Sequence, residues 1–305
     1  MIDAVITWVD GNDPLHRDKR RRFQDPSAHP EASGPQRFIS SGEIRFSVLS
    51  LLKFCPFLRR IHIVTDDQRP FVSGALRDDN RIRIVDHKGI YADHMDLLPV
   101  FSSRSIETMI HRIPDLTERF IYLNDDIFIG RPMRPMDFFE DDMPVLQGQL
   151  KRLPNPILRC LKSALGQSRP GYKAAQQAAA GAVGRRDSYL LVEHQPHPMR
   201  RSTLARFYDG SPAALRAQAG HRFRSDAQIS PISLTHHLEM ATGARILPPV
   251  DVGYIKPGHP AGTALAGTME DLNSDAFASF CVQSLEAMTP DDRVTILSGL
   301  EQRYG

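Results

Sequence analysis

The chain has 305 residues, with 38 Lys plus Arg against 36 Asp plus Glu and a formal net charge of +2. That near-balance removes any electrostatic argument for a nucleic-acid partner, and 41% apolar with 24% charged residues is ordinary for a globular chain able to bury a sizeable core. Three well-separated cysteines, Cys55, Cys160 and Cys281, form neither a disulfide framework nor a metal knuckle, which fits a reducing compartment.

The opening "MIDAVITWVDGNDP" lacks the basic stretch and long apolar run of a signal peptide. No stretch approaches the roughly 18 apolar residues of a membrane span. The expectation is a cytoplasmic protein, with peripheral association at the inner face of the cell membrane as a further possibility. Within that opening, Asp3–Val9 is a β-branched run ended by a turn cluster, and it reads as a buried strand. His16–Phe23 ("HRDKRRRF") is a charge run: a solvated face or mobile loop, or else a contact for an anionic acceptor or membrane. Asp25–Pro35 has the composition of a loop.

Ser40 with Glu43 three residues on is a capping-box pattern. Ile44, Val48, Leu51, Leu52 and Cys55 then recur at helical spacing until Pro56 stops the helix. Arg60–Asp67 and Arg81–His87 read as strands. Ser102–Pro114 sets Ile106, Met109, Ile110 and Ile113 on one helix face, and "RFIYLN" is a fourth strand. Alternation of this kind predicts an α/β fold with a mainly parallel sheet flanked by helices. Residues 150–186, basic and Ala-rich, read as a helical excursion or lid within a single domain spanning 1–305. Residues 268–305 read as a helical tail, with Phe277, Phe280, Cys281, Leu285 and Met288 on one face.

Open parallel sheets bind ligands at the carboxyl ends of their strands. Three strands here end in polar clusters: Asp10-Gly11-Asn12-Asp13, Asp66-Asp67 and Asn124-Asp125-Asp126. Parallel strands would set all three along one rim. Hard divalent cations take oxygen ligands, often one or two carboxylates plus substrate phosphates, so Asp125 and Asp126 are the candidate metal ligands. The complement is a later density of His and Arg: His194 and His197 around Gln195-Pro196, then His221, Arg222 and Arg224 before Asp226. Arginine forks match phosphate oxygens, and a neutral histidine can take a proton from a hydroxyl near pH 7. The Cys and carboxylate partners of a structural zinc site are missing nearby. Two carboxylates with Arg and His make an inventory for phosphoryl transfer.

At these residues the sequence resembles the Stealth family, sugar-phosphate transferases that include bacterial capsule polymerases and a GlcNAc-1-phosphotransferase. "DAVITWVDGNDP" resembles the first of the family's four conserved regions. "GEIRFSVLSLLKFCPFLRRIHIVTDDQRP" and "LPVFSSRSIETMIHRIPDLTERFIYLNDDIFIG" resemble the second, and "HQPHPM" with "HRFRSDAQIS" the third. The tail lacks the Cys-Leu-Asn-Asp element of the fourth, for which "MEDLNSD" (Met269–Asp275) is a displaced candidate. The resemblance implies a Rossmann-like, glycosyltransferase-A-type fold. It also implies transfer of a hexose-1-phosphate from a UDP-sugar donor to a hydroxyl of a polysaccharide or other glycan acceptor, with release of UMP. An N-acetylhexosamine is the first-choice sugar, and Mg²⁺, or Mn²⁺ in its place, is the expected cofactor.

Combining both lines, Asp125 and Asp126 would bind the metal, and Arg222 and Arg224 would neutralise the transferred phosphate. His197 or His221 would be the base, with Asp10 also in the catalytic set. Substrate contacts would come from Trp8, Asp10, Gly11, Asn12, Asp13, Arg45, Ser102, Ser103, His111, Arg112, Asn124, His194 and Asp226. Trp8 is either a stacking surface or plain core. Two alternatives stay open: a metal-dependent glycosyltransferase releasing UDP, and a non-catalytic sugar-nucleotide-binding protein.

Overall fold

The computed structural model describes residues 1–24, 34, 38–71, 74–154, 171–249 and 251–305. Nearly all of the Asp25–Pro35 loop, Cys160 and the middle of the 150–186 excursion lie outside the described residues. Strands β1 (Ile2–Thr7), β2 (Leu58–Thr65), β3 (Ile82–Asp86) and β4 (Arg119–Asn124) run parallel in the spatial order β4-β1-β2-β3. His197–Arg200 adds an antiparallel edge strand against β4, pairing His197 with Tyr122. The sheet is thus mainly parallel, as expected, and the "HPMR" segment forms one of its edges.

β1, β2 and β4 are covered on both faces and so read as near-continuous apolar runs, whereas the outer strand β3 exposes Arg83 and Ile84. Successive side chains still alternate between two cores. Ile2, Ala4 and Ile6 of β1, with Ile121 and Leu123 of β4, pack into one core. Val5, Phe120 and Tyr122 pack into the other. The first core is closed by the helix Glu43–Phe54 and the tail helix Pro290–Tyr304. The second is closed by helices including Ser103–Met109 and Pro231–Ala241. Among the described residues, no helix is long and apolar enough to cross a membrane.

Several local expectations need correction. The capping box does not form: the N-cap is Gly42, in a left-handed conformation at φ 91°, which glycine adopts without strain. The Glu43 carboxylate instead accepts the Ser41 N–H at 2.7 Å, and Ser40 takes the indole N–H of Trp8 at 3.2 Å. The charge run is a solvated helix face rather than a loop, with Arg17, Asp18, Arg21, Arg22 and Phe23 exposed. Pro14–Arg21 is a helix capped by the Asp13 carboxylate, and its inner face buries His16 and Arg20. Arg20 lies 4.1 Å over the Phe38 ring, a cation–π contact that shields its charge.

The tail is not helical throughout. Between helices Thr263–Asn273 and Pro290–Tyr304 runs a strand, Ser279–Val282. It pairs antiparallel with β5 (Ile127–Ile129) and parallel with Val252–Ile255. All four of its residues are buried, and a short run buried on both faces has the same apolar signature as one helix face. In the 150–186 region, Gln149–Arg152 pairs with Ser188–Leu191, and Tyr172–Ala182 is helical. The alanines of that helix permit close packing: Ala175, Ala179 and Ala180 are buried, and the Ala175 carbonyl accepts the Ser230 N–H at 3.1 Å.

Candidate active site

The sheet order sets the order of side chains along its carboxyl rim. His87 follows β3, Thr65 and Asp66 end β2, Thr7 and Trp8 end β1, and Asn124 to Asp126 end β4. The edge strand runs the other way, so the residues just before His197, including His194, also meet this rim. A cleft of about 440 Å³ opens along it. Of the expected residues, Trp8, Ser102, Ser103, Asn124, Asp125, Asp126, His194, His197 and Arg224 line the cleft.

The middle of the rim is acidic. Asp125 and Asp126 share it with Glu43, at the start of its helix, and with Glu286 from the tail. The Val282 N–H donates to the Asp126 carbonyl at 3.0 Å, so the tail strand pins the aspartate turn and brings Gln283, Ser284 and Glu286 into the wall. Burial pushes Asp126 up to about 7, and repulsion from Glu43 adds to this despite an opposing hydrogen bond from the Cys281 thiol. Asp125 is raised well above the carboxylate range by burial, by Asp126 and by Glu43. Glu43 and Glu286 are raised too, chiefly by burial. One carboxylate oxygen of Asp126 is buried with no hydrogen-bond partner. A carboxylate cluster of this kind is incomplete without a positive charge. Among the described residues, no three His, Cys, Asp or Glu side chains converge as a metal cage. The oxygen donors therefore fit a hard cation held by one or two carboxylates and completed by substrate phosphates.

Next to this wall is a basic region. Arg224 donates to Ser103 Oγ at 3.2 Å. Arg104 is buried and donates to the Gly171 carbonyl at 3.0 Å and the Ser225 carbonyl at 3.3 Å. Burial, then repulsion from Arg224, lowers it to about 10. Beneath them lies Glu107, whose affinity for a proton is raised by burial and partly offset by Arg224 and Arg104. The Tyr122 hydroxyl lies 2.8 Å from Thr7 Oγ1, 2.9 Å from Asn124 Oδ1 and 3.3 Å from Glu107 Oε1, and so links the ends of β1 and β4 to the helix Ser103–Met109. His197 is buried and held well below its ordinary value, first by burial and then by His236, whose ring is 5.2 Å away. The His194 ring lies nearly parallel to those of Tyr172 and Tyr254, at 4.9 Å and 5.6 Å.

The other expected residues do not line the cleft. Asp10 accepts the Asn12 N–H at 2.8 Å and holds its own turn, Gly11 packs so tightly on Phe38 that no Cβ would fit, and Asp13 caps a helix. Arg45 pairs with Glu301 on the surface. His111 is buried beside Tyr208, which lowers it to about 4, and Arg112 reaches the Ile90 carbonyl and Asp93. Arg222 lies 4.2 Å over the Phe23 ring. The His221 carbonyl accepts the Ser105 hydroxyl at 2.7 Å, and burial lowers its imidazole against an opposing pull from Asp226. Of the two candidate bases, only His197 faces the cleft. Trp8 is 8% exposed and part of the core, and it also lines the cleft.

Three family models match the chain: conserved region 1 of Stealth proteins over residues 2–25, conserved region 2 over 37–146 and conserved region 3 over 193–241. The chain belongs to the Stealth family. These Stealth regions carry Trp8, both aspartates, Arg104, Glu107, His194, His197 and Arg224, whereas Tyr172, Gln283 and Glu286 lie outside them. An exopolysaccharide phosphotransferase of Streptomyces coelicolor is 37% identical over 272 residues, 85% of this chain and 43% of that protein. An exopolysaccharide phosphotransferase of Mycobacterium leprae, CpsY, is 32% identical over 80% of this chain and 44% of its own length. The chain thus spans less than half the length of these two relatives. The capsular polysaccharide phosphotransferase WcwK of Streptococcus pneumoniae is 26% identical over 96% of this chain and 93% of its own. Among solved structures, the galactosyltransferase LgtC, in complex with donor and acceptor sugar analogues, aligns over 92% of this chain and 87% of its own at 10% identity. Its TM-score of 0.42 is too low to carry an argument about fold or function.

Proposed function

We propose that this Stealth protein transfers a hexose-1-phosphate, foremost an N-acetylhexosamine-1-phosphate, from a UDP-sugar to an acceptor glycan hydroxyl in capsular or exopolysaccharide synthesis. The observation that carries this reading is a cleft in which two buried carboxyls with raised proton affinity, Asp125 and Asp126, adjoin the buried Arg104 and its neighbour Arg224. The names of the relatives agree with it.

In this reading the acceptor oxygen bonds to the β-phosphorus of the donor while the bond from that phosphorus to the bridging oxygen breaks. UMP leaves with the oxygen, and the sugar phosphate remains as a phosphodiester. Asp125 and Asp126 would hold Mg²⁺, or Mn²⁺, which when bound neutralises diphosphate charge. Arg224, held by Ser103, would face charge on the transferred group. Burial keeps His197 neutral and able to accept the acceptor proton, and a phosphoryl anion beside it would raise its proton affinity. Little general-base help is needed where positioning and charge neutralisation dominate.

The nucleotide product decides the chemistry. UMP from UDP-N-acetylglucosamine with Mg²⁺ and acceptor is the expected outcome, and UDP would reassign the protein to glycosyl transfer. Tight donor binding without turnover across an acceptor panel would make it a binding protein. A UDP-sugar donor places the work in the cytoplasm, and we propose peripheral association with the inner membrane face, to be checked by release from membranes in high salt.

A further inference from the structure

The rim order divides the cleft into two halves around the aspartate pair. On the β1, β2 and β3 side lie Trp8, His16, Phe38, His87 and Phe101. On the far side, past β4, lie His194 and Tyr172. Tyr172 begins the helix Tyr172–Ala182, and the stack Tyr172, His194, Tyr254 joins that helix to the loop before the edge strand and to the strand Val252–Ile255. Tyr254 is itself anchored by its hydroxyl on the Gln283 side chain. The Tyr172 hydroxyl reaches the Glu193 carbonyl at 3.4 Å.

Tyr172 is 37% exposed although it lines a concave wall. One of its faces lies on His194, and the residue lines the cleft. A large aromatic ring on the wall of a cleft, braced from behind by two further rings, is the kind of surface on which ligands are held. Its π-face is negative, and it suits a flat, apolar partner with polarised C–H bonds pointing at it. The C–H face of a pyranose ring has that character, and its hydroxyls remain free at the edge for water and polar side chains.

We infer that Tyr172, braced by His194 and Tyr254, is a stacking subsite for a pyranose ring of the acceptor glycan, on the opposite side of Asp125 and Asp126 from Trp8. The inference rests on the transferase reading for the word acceptor alone; pyranose binding stands without it. It gives the acceptor and the donor nucleotide separate halves of the cleft. It also gives the helix that starts at Tyr172 a reason to lie against the rim.

The test is a titration of the full chain with methyl glycosides of glucose, galactose, mannose and N-acetylglucosamine, read by proton NMR of the sugars and of the Tyr and Trp rings. A stacking surface reads ring shape more than single hydroxyls, so at least one glycoside should bind. Its C–H protons should shift upfield, and the shift should persist with UDP-N-acetylglucosamine and Mg²⁺ at saturation. Tyr172→Ala should weaken glycoside binding about tenfold, the equivalent of about 1.4 kcal/mol. Tyr172→Phe should retain it, and the Trp8 response to UDP-N-acetylglucosamine should be unchanged in both. The inference is overturned if no glycoside binds the wild type, if Tyr172→Ala binds as tightly, or if the donor displaces the glycoside. Loss of the Trp8 response in Tyr172→Ala would also overturn it, because Tyr172 would then support the donor half. A wild type that binds glycosides but makes no UMP would sink the transferase reading and leave the subsite standing.

Discussion

Asp3 and Asp126 are both carboxylates packed against the same sheet, at opposite ends of adjacent strands. Burial pushes Asp3 up, but a two-point pairing with Arg59 at 2.9 Å and 2.7 Å, His62 at 3.2 Å and the Thr117 N–H at 3.0 Å more than reverse this. Its carboxyl lies well below the ordinary range. Asp126 has an unpaired buried oxygen and like-charged neighbours, and it is raised to about 7. The difference separates two uses of a charge. Asp3 is complete within the chain and fastens Arg59 of β2 and the turn before β4 to β1. Asp126 is complete only with something the chain does not supply, which is the mark of a site.

Removing each carboxylate should break a different property. Asp3→Ala removes the carboxylate that Arg59, His62 and the Thr117 N–H share, leaving Arg59 its bond to the Asp115 carbonyl, and loss of such a buried acceptor costs about 1–3 kcal/mol. The expected result is a large fall in the midpoint of urea unfolding, with activity per folded molecule retained. Asp126→Ala and Arg224→Ala should each lose about 10²–10³ in turnover, the usual effect of removing one positioned transition-state contact. Their circular dichroism and unfolding midpoints should stay at or above wild type. Turnover near wild type in either would remove that residue from the proposed machinery, and a collapse of stability in Asp126→Ala would erase the contrast with Asp3.

The pH dependence should have opposite signs at the two ends. Asp3 has a lowered folded value, so its contribution is present above the unfolded carboxylate range near pH ~4 and is lost as pH falls. Asp126 has a folded value of about 7, so the folded state keeps a proton that the unfolded state releases. Its contribution is full below pH ~4 and is lost as pH rises through 7. Calorimetry without metal should therefore show Asp126→Asn gaining stability relative to wild type as pH rises from 5 to 8. Mg²⁺ should raise the melting temperature at pH 8 more than at pH 5, because the cation competes with the proton. An equal Mg²⁺ effect at both pH values, or none, would argue against a cation on this carboxylate.

How much of this was legible depended on whether a residue's neighbours were close in sequence. β4 and the aspartate pair were visible because an apolar run ending in Asn124-Asp125-Asp126 is a local pattern. Arg104 and Glu107 were missed because, at a spacing of three in a helix, they look like an ordinary surface pair. Every residue from Arg104 to Met109 is in fact buried, which only the covering helices decide. Asp10 to Asp13 failed in the other direction: turn and cap chemistry uses the same residue types as ligand binding. The Ser279–Val282 strand was hidden because its partners, Ile127–Ile129 and Val252–Ile255, are distant in the chain and its own four residues show no alternation. With it were hidden Gln283 and Glu286, which reach the cleft only because that strand pairs where it does.

Arg45 gives the smallest effect and the finest control on the comparison. It was expected to reach the donor, yet its guanidinium makes a two-point contact with Glu301 of the tail helix. Both side chains are about half exposed, 43% and 55%. An exposed pair of this kind contributes about 0–1 kcal/mol and weakens with salt, because each charge is nearly as well solvated alone. Arg45→Ala should therefore lower the melting temperature slightly at low salt and not at all in high salt, with donor KM unchanged. A severalfold rise in donor KM without loss of stability would mean that Arg45 leaves Glu301 to meet the nucleotide. The donor half of the cleft would then extend to the outer end of the Glu43–Phe54 helix, and pairing within the chain, which marks Asp3 as structural, would no longer suffice to tell a fastening charge from a binding one.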